Sequence, residues 1–345
     1  MKVAIIGGTG YGAVELLRFL HIHPYAEVKT IISHSSAGKS LTDFYPHTDG
    51  FITGSLETFD VKALSEQVDF AFFAAPPGVS RDLLPRLTEA GIRCVDLAGD
   101  FRLKEAAVYK EWYQQDAASE ELLEKAVYGL PELNAEQISK ADFVANPGCY
   151  PTATLLGLLP AVHNGLINPA SIIIDAKSGL SGAGKTPTAI SHYSEINENI
   201  KAYKLGSHKH IPEIEQALAG ISGSQHPVSL TTQLVPMTRG IMATMYADLT
   251  TDKTASELLE SYENYYETHP FVRLRSLGEW PATKEVAASN FCDIGLHLDE
   301  RTNRLTIVSV IDNLVKGAAG QAIQNMNMMQ GWEQTAGLWT LPVYP

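Results

Sequence analysis

At 345 residues the chain is longer than one hydrophobic core ordinarily organises, so two domains are expected. With 45% apolar and 19% charged residues, 27 Gly and 18 Pro, it is neither a disordered nor a fibrous protein. A formal net charge of −13 argues against nucleic acid or an anionic membrane as partner, although a few converging cations can still hold a small anionic substrate.

Three scattered cysteines, Cys94, Cys149 and Cys292, form no disulfide framework and no CxxC spacing that would suggest zinc or another metal. They fit a reducing cytosol. The apolar run "VAII" near the N-terminus stops at glycines too soon for a signal peptide, and no apolar stretch approaches the length of a membrane span. A cytoplasmic location is expected.

In chain order, "KVAIIG", a Gly-rich turn, "AVELLRFLHIH" and "EVKTIIS" read as strand, loop, helix and strand, a βαβ unit. Apolar strands recur at 68–75, 92–98 and 141–147, with helical segments such as "VSRDLLPRLTEA" between them. Near-continuous apolar strands alternating with helices predict a parallel sheet covered on both faces. Beyond Pro147 a helix over about 150–163 is followed by "SIIIDAKSG", "PVSLTTQLVPM", "GIMATMYADL" and the hairpin "FCDIGLHLDERTNRLTIVSVIDNL". Strands joined by turns predict a mixed or antiparallel sheet with helices on it, and "KGAAGQAIQNMNMMQ" forms the last helix. The fold class expected is α/β, a Rossmann-type dinucleotide-binding domain plus an α+β catalytic domain.

Gly7, Gly8, Gly10 and Gly12 sit where the first strand turns into the first helix, and Gly7, Gly10 and Ala13 give a GxxGxxA spacing. Glycines there let backbone N–H groups approach a pyrophosphate at the helix N-terminus; the alternative is a tight structural turn. Thr9 and Tyr11 in the same loop, and Pro76 just past the strand at 68–75, are grouped with it as cofactor contacts. The second strand runs into "SHSSAGKS", without the acid that an NAD ribose prefers. Ser36 and Lys39 could instead hold a 2′-phosphate, which favours NADP(H), unless the segment is only a solvated loop.

Cys149 lies between a Pro-Gly turn and a helix start, with Pro151 suited to the first turn. Open N–H groups and the positive end of the helix dipole would lower its thiol pKa, which marks it as a nucleophile, whereas Cys94 and Cys292 lie in core strand patterns. A thiolate beside a nicotinamide points to interconversion of an aldehyde and an activated acid through a thioester. "GSHKHIPEIEQ" offers His208 and His210 ahead of a helix as the proton-handling pair. Arg102, in "GDFR" past a strand end, carries a fork that matches an acyl phosphate, and Lys185 could assist with the same anion.

Six ordered stretches, "IIGGTGYGAVELLR", "DLAGDFRL", "ANPGCYPTATLLGLLP", "AKSGLSGAGK", "GSHKHIPEIEQ" and "DNLVKGAAGQA", closely resemble the N-acetyl-gamma-glutamyl-phosphate reductase family of the aspartate-semialdehyde dehydrogenase-like superfamily. The resemblance implies NADPH-dependent reduction of N-acetyl-glutamyl 5-phosphate to the 5-semialdehyde in arginine biosynthesis. It makes Cys149 the covalent nucleophile and His208 the acid/base, with His210 a neighbour on the substrate side. It sets Ser178, Gly179 and Asn313 against the cofactor, and Asn146 and Ser181 with Arg102 and Lys185 around the substrate. It implies a homodimer or homotetramer and a last helix that returns to the first domain. The expected bounds are 1–148 and 314–345 for the NADP-binding domain and 149–313 for the catalytic and oligomerisation domain. Competing readings are an aspartyl- or aminoadipyl-phosphate reductase, which shares the active atoms, and a non-catalytic NADP-binding regulator, which has no use for a reactive Cys149.

Overall fold

A computed structural model describes residues 1–344 of the chain, which divides into two compact units. The first holds Met1–Pro147 and Ala318–Trp339, the second Gly148–Gly317 with residues 340–344. The chain re-enters the first unit at Ala318, and the turn through Gly317 packs against Cys149 within the second. The tail beyond 339 goes with the second unit, where the Val343 N–H donates to Ala287 O at 2.9 Å.

The first unit begins β1 (Lys2–Ile6), α1 (Tyr11–Leu20), β2 (Glu27–Ile32), α2 (Val61–Gln67), β3 (Phe70–Phe73), α3 (Val79–Glu89) and β4 (Arg93–Asp96). It continues through α4 (Ala106–Tyr113), α5 (Glu120–Lys125), β5 (Val127–Tyr128), α6 (Pro131–Lys140) and β6 (Phe143–Ala145). Its six strands pair in parallel in the order β2-β1-β3-β4-β6-β5. Strands β3 and β6 are buried on both faces, and β1 is buried from Val3 onward, as continuous apolar sequence demands of a sheet covered by helices. The strand order reverses between β1 and β3, so a crevice opens past their carboxyl ends, where doubly wound sheets take ligands. Ala13 is fully buried, which lets α1 approach the sheet closely.

The second unit opens with α7 (Cys149–His163) and β7 (Ile173–Ser178), then α8 (Tyr193–Ile196), β8 (Lys201–Tyr203), α9 (Ile211–Ser222), β9 (Ser229–Leu234) and β10 (Ile241–Asp248). Next come α10 (Ala255–Tyr266), β11 (Val272–Leu274), β12 (Cys292–Asp299) and β13 (Arg304–Ile311). The seven strands form a mixed sheet ordered β11-β12-β13-β10-β7-β9-β8, with β12 and β13 as the expected hairpin. Along β10 every second residue is buried and the others are half-exposed, so one face packs on α7 and the other stays open. Helix α11 (Gly320–Met329) closes the chain's passage through the first unit. It packs on α6, and Gln321 Nε2 and Asn325 Nδ2 each donate to Gly129 O at 2.8 Å.

Candidate active site

In the first unit the glycine loop falls at the β1/β3 reversal. Gly7 has φ +97°, and a Cβ there would sit 2.5 Å from Ala74 O; one on Gly8 would sit 2.2 Å from Ile31 Cγ2. The chain itself therefore requires those two glycines. Gly10 and Gly12 differ. A Cβ on either would come no nearer than 3.9 Å to any atom beyond its own turn, and neither has a left-handed φ. Their missing side chains leave a cradle over the first turn of α1, where no side chain caps the open N–H groups. That cradle fits a pyrophosphate, which needs close backbone approach and a helix N-terminus. Thr9 O accepts from Tyr45 OH at 3.0 Å, holding the loop down; Tyr11 begins α1, and Pro76 is exposed just past β3.

The segment after β2 carries no acid from Ser33 to Leu41 and is pinned by Gly38 N–H to Leu56 O (2.8 Å) and Leu56 N–H to Lys39 O (2.8 Å). Ser36 is buried, and Lys39 is the exposed member of the pair.

Arg102 is buried, donating Nε to Asn146 O and Nη2 to Leu97 O, each at 2.8 Å. Asn146 is fully buried; its Nδ2 donates to Ala318 O (3.1 Å) and its Oδ1 accepts from Asn325 Nδ2 (3.1 Å). The two guanidinium bonds satisfy carbonyls just past the ends of β4 and β6, which need donors once buried, and so hold Arg102 beside Asn146.

In the second unit Cys149 is the first residue of α7, and Gly148 is its N-cap. Thr152 N–H donates to Gly148 O at 2.9 Å, closing the first turn. Cys149 is partly exposed, whereas Cys94 and Cys292 are fully buried, and burial pushes the Cys94 thiol up. The positive end of a fifteen-residue helix favours a thiolate at Cys149 and nowhere else among the three. A Cβ on Gly317 would lie 2.8 Å from Cys149 Cβ, so the turn after β13 wraps this residue closely.

The residues ahead of α9 close on the same point. The His210 ring lies against Gly148: a Cβ there would be 2.4 Å from His210 Nε2. Glu213, in the first turn of α9 and buried, accepts the Gly148 N–H at 2.7 Å. His208 sits 4.7 Å from the His210 ring, flanked edge-on by Tyr150 (5.4 Å) and Tyr203 (5.6 Å). Tyr203 OH donates to Tyr150 OH at 3.1 Å, and burial pushes Tyr203 up to about 12 and Tyr150 further. Burial, reinforced by Lys204 and Lys209, pushes His208 down to about 4, so its imidazole is neutral at pH 7. Its Nδ1 accepts the His210 N–H at 3.2 Å, which leaves the proton on Nε2. In that tautomer the ring presents an N–H at Nε2.

The "SGLSGAG" loop is docked on residues 237–240. Gly179 N–H donates to Gly240 O (2.9 Å), and a Gly179 Cβ would strike Thr238 O at 2.7 Å. Asn313 Oδ1 accepts Gly240 N–H (2.7 Å), and its Nδ2 donates to Ser181 Oγ (2.9 Å). Ser178 Oγ donates to Gly179 O (3.0 Å). These contacts tie Ser178, Ser181 and Asn313 into one hydrogen-bonded corner with residues 237–240. Lys185 is exposed in the segment that follows.

Two family models match: the semialdehyde dehydrogenase NAD binding domain over residues 2–141, and the semialdehyde dehydrogenase dimerisation domain over 149–313. N-acetyl-gamma-glutamyl-phosphate reductase of Geobacillus sp. (strain WCH70) is 52% identical over 345 residues, 100% of both chains, and that of Bacillus subtilis (strain 168) is 51% identical over the same span. The chain belongs to the N-acetyl-gamma-glutamyl-phosphate reductase family. Its fold is shared by aspartate semialdehyde dehydrogenase II of Vibrio cholerae complexed with ASA (TM-score 0.72, 20% identity, 96% and 98% of the two chains). The enzyme of Candida albicans with NADP is similar (TM-score 0.71, 17% identity, 95% and 98%).

The structure sets the His210 ring against Gly148, the residue before Cys149, with His208 next to His210. It adds Glu213, Tyr150 and Tyr203. Glu213 and Tyr150 stood inside quoted motifs, but a carboxylate three residues into a helix reads as an ordinary favourable charge until its partner is known. Tyr203 lies on β8, a three-residue edge strand with no periodic signal.

Proposed function

We propose that this chain catalyses NADPH-dependent reductive dephosphorylation of N-acetyl-L-glutamyl 5-phosphate to N-acetyl-L-glutamate 5-semialdehyde, a step of arginine biosynthesis, through a thioester on Cys149. The observation that carries this reading is Cys149 at the start of α7, next to the Gly148 on which the His210 ring rests, in a chain about half identical to reductases of that name along its whole length.

The Cys149 thiolate attacks the acyl carbon, and the C–O bond to phosphate breaks with both electrons leaving on phosphate. The Gly7–Ala13 loop would hold the cofactor pyrophosphate, and Lys39 the 2′-phosphate. Bound NADPH supplies the hydride that brings the acyl carbon to the aldehyde level. His208, neutral with its proton on Nε2, donates a hydrogen bond to oxygen as it gains negative charge. His210, against the nucleophile's own N-cap, is the candidate to move the proton. Expulsion of the thiolate releases the aldehyde and restores Cys149. The net change is acyl phosphate, NADPH and a proton to aldehyde, NADP⁺ and phosphate. The exposed Lys39 and the absence of an acid beside it support NADPH over NADH.

The reading extends to a homodimer or homotetramer in the cytosol. The half-exposed sheet face of β10 and a family model described as a dimerisation domain support the first; three free cysteines support the second. Among the described residues no helix is long and apolar enough to cross a membrane.

Incubation with NADP⁺, phosphate and N-acetylglutamate semialdehyde should generate NADPH, and aspartate or aminoadipate semialdehyde should not. Cys149→Ala should abolish turnover and leave NADPH binding intact. Substantial residual activity, or preference for another semialdehyde, refutes the proposal.

A further inference from the structure

We propose that Glu213 is a positioning residue that caps the nucleophile helix from a neighbouring helix and, by its charge, sets the acidity of Cys149. The proposal rests on Cys149 as nucleophile. In an ordinary capping box, the third residue of a helix is Glu or Gln and reaches back to the N-cap N–H. In α7 that third position is Pro151, which has no such side chain, and no side chain of α7 caps the helix. The missing acceptor comes instead from α9, whose Glu213 takes the Gly148 N–H at 2.7 Å while only 1% exposed. A buried carboxylate without partners costs several kcal/mol, so the geometry that satisfies it is stiff.

The consequence is mechanical and electrostatic together. Glu213 lies three residues past His210, whose ring rests on the same Gly148. One turn of chain, 210–213, therefore grips Gly148 on its α-carbon and on its N–H. That grip fixes the sulfur relative to the histidines, because Cys149 is the next residue. The negative charge beside the helix start opposes the dipole that favours the thiolate. It keeps the Cys149 thiol less acidic than the helix alone would, which preserves its nucleophilicity once ionised.

The test uses the full chain, with Cys149 alkylation by iodoacetamide followed from pH 5 to 10. Cys149→Ala provides the background from the two buried cysteines. Glu213→Gln retains an oxygen acceptor and loses the charge. It should keep KM near wild type and lower the pH midpoint of Cys149 alkylation by about one to two units, the effect of one charge within about 10 Å at an effective dielectric of about 20. Glu213→Ala, which loses acceptor and charge, should lower kcat by about 10²-fold with little change in KM, as for a misplacement of about 1 Å. A Glu213→Gln midpoint that superimposes on wild type overturns the proposal, even if Glu213→Ala fails to fold. So does a folded Glu213→Ala with kcat within twofold of wild type. A wild-type protein no more alkylatable than Cys149→Ala removes the nucleophile reading, and this proposal with it.

Discussion

Gly148→Ala isolates the contact between the nucleophile's N-cap and the histidine turn. Gly148 has φ −68° and ψ 157°, a region open to any residue, so the backbone accepts alanine without strain. The added methyl would lie 2.4 Å from His210 Nε2 and 2.8 Å from its Cδ2 and Cε1, where ordinary contact begins at 3.4 Å. The ring must therefore retreat by about 1 Å. Tyr150, at 6.0 Å, and His208, at 4.7 Å, already flank it. Because the Gly148 N–H survives, the bond to Glu213 is not removed. Alanine in place of glycine at an N-cap costs about 0.5–1 kcal/mol, too little to unfold a chain of this size. A displacement of about 1 Å in a proton-handling group should cost about 10²-fold in kcat. The assay is steady-state reduction of N-acetylglutamyl phosphate followed by NADPH absorbance, with Gly148→Ala compared in wild-type and His210→Ala backgrounds. The methyl's penalty should largely vanish without the imidazole, since both changes act on one contact. A kcat within twofold of wild type, or an equal penalty in both backgrounds, would refute the reasoning.

Gly12→Ala should separate stability from cofactor binding: nothing in the chain lies within 3.9 Å of the new methyl, and alanine favours helix α1, so the melting temperature should hold or rise. NADPH affinity, measured by fluorescence titration, should nevertheless fall tenfold or more, and unchanged affinity would remove the pyrophosphate from this loop. Asp96 is fully buried, and burial, with the Asp100 charge beside it, pushes its carboxyl up to about 7. A raised carboxyl pKa stabilises the fold below the unfolded value of about 4 and loses that contribution as pH climbs through about 7. Melting temperature should thus decline across that window in the wild type and flatten in Asp96→Asn; parallel curves would show Asp96 ionised throughout.

The local signals in this sequence were strong where one element settles its own chemistry. The glycine spacing after β1, the Pro-Gly turn before Cys149 and the alternation in β10 depend only on neighbours in the chain, so periodicity and turn chemistry expose them. The short strands β5, β8 and β11 escaped because two or three residues carry no period; they exist only where a longer neighbour offers open hydrogen bonds. Side-chain roles were legible only in type. Arg102, Asn146, Ser178 and Asn313 each have the polarity a ligand site requires, and a motif cannot say which protein groups hold them in place. Tertiary packing supplies those partners: α11 reaches Asn146 from 179 residues away and Gly240 reaches Asn313 from 73. The same holds for His208, whose residue type promises a group titrating near neutrality, whereas burial lowers it and the His210 N–H occupies its Nδ1. Sequence alone determined which groups this protein can use. Which of them keep free lone pairs and protons was decided by desolvation and by partners distant along the chain.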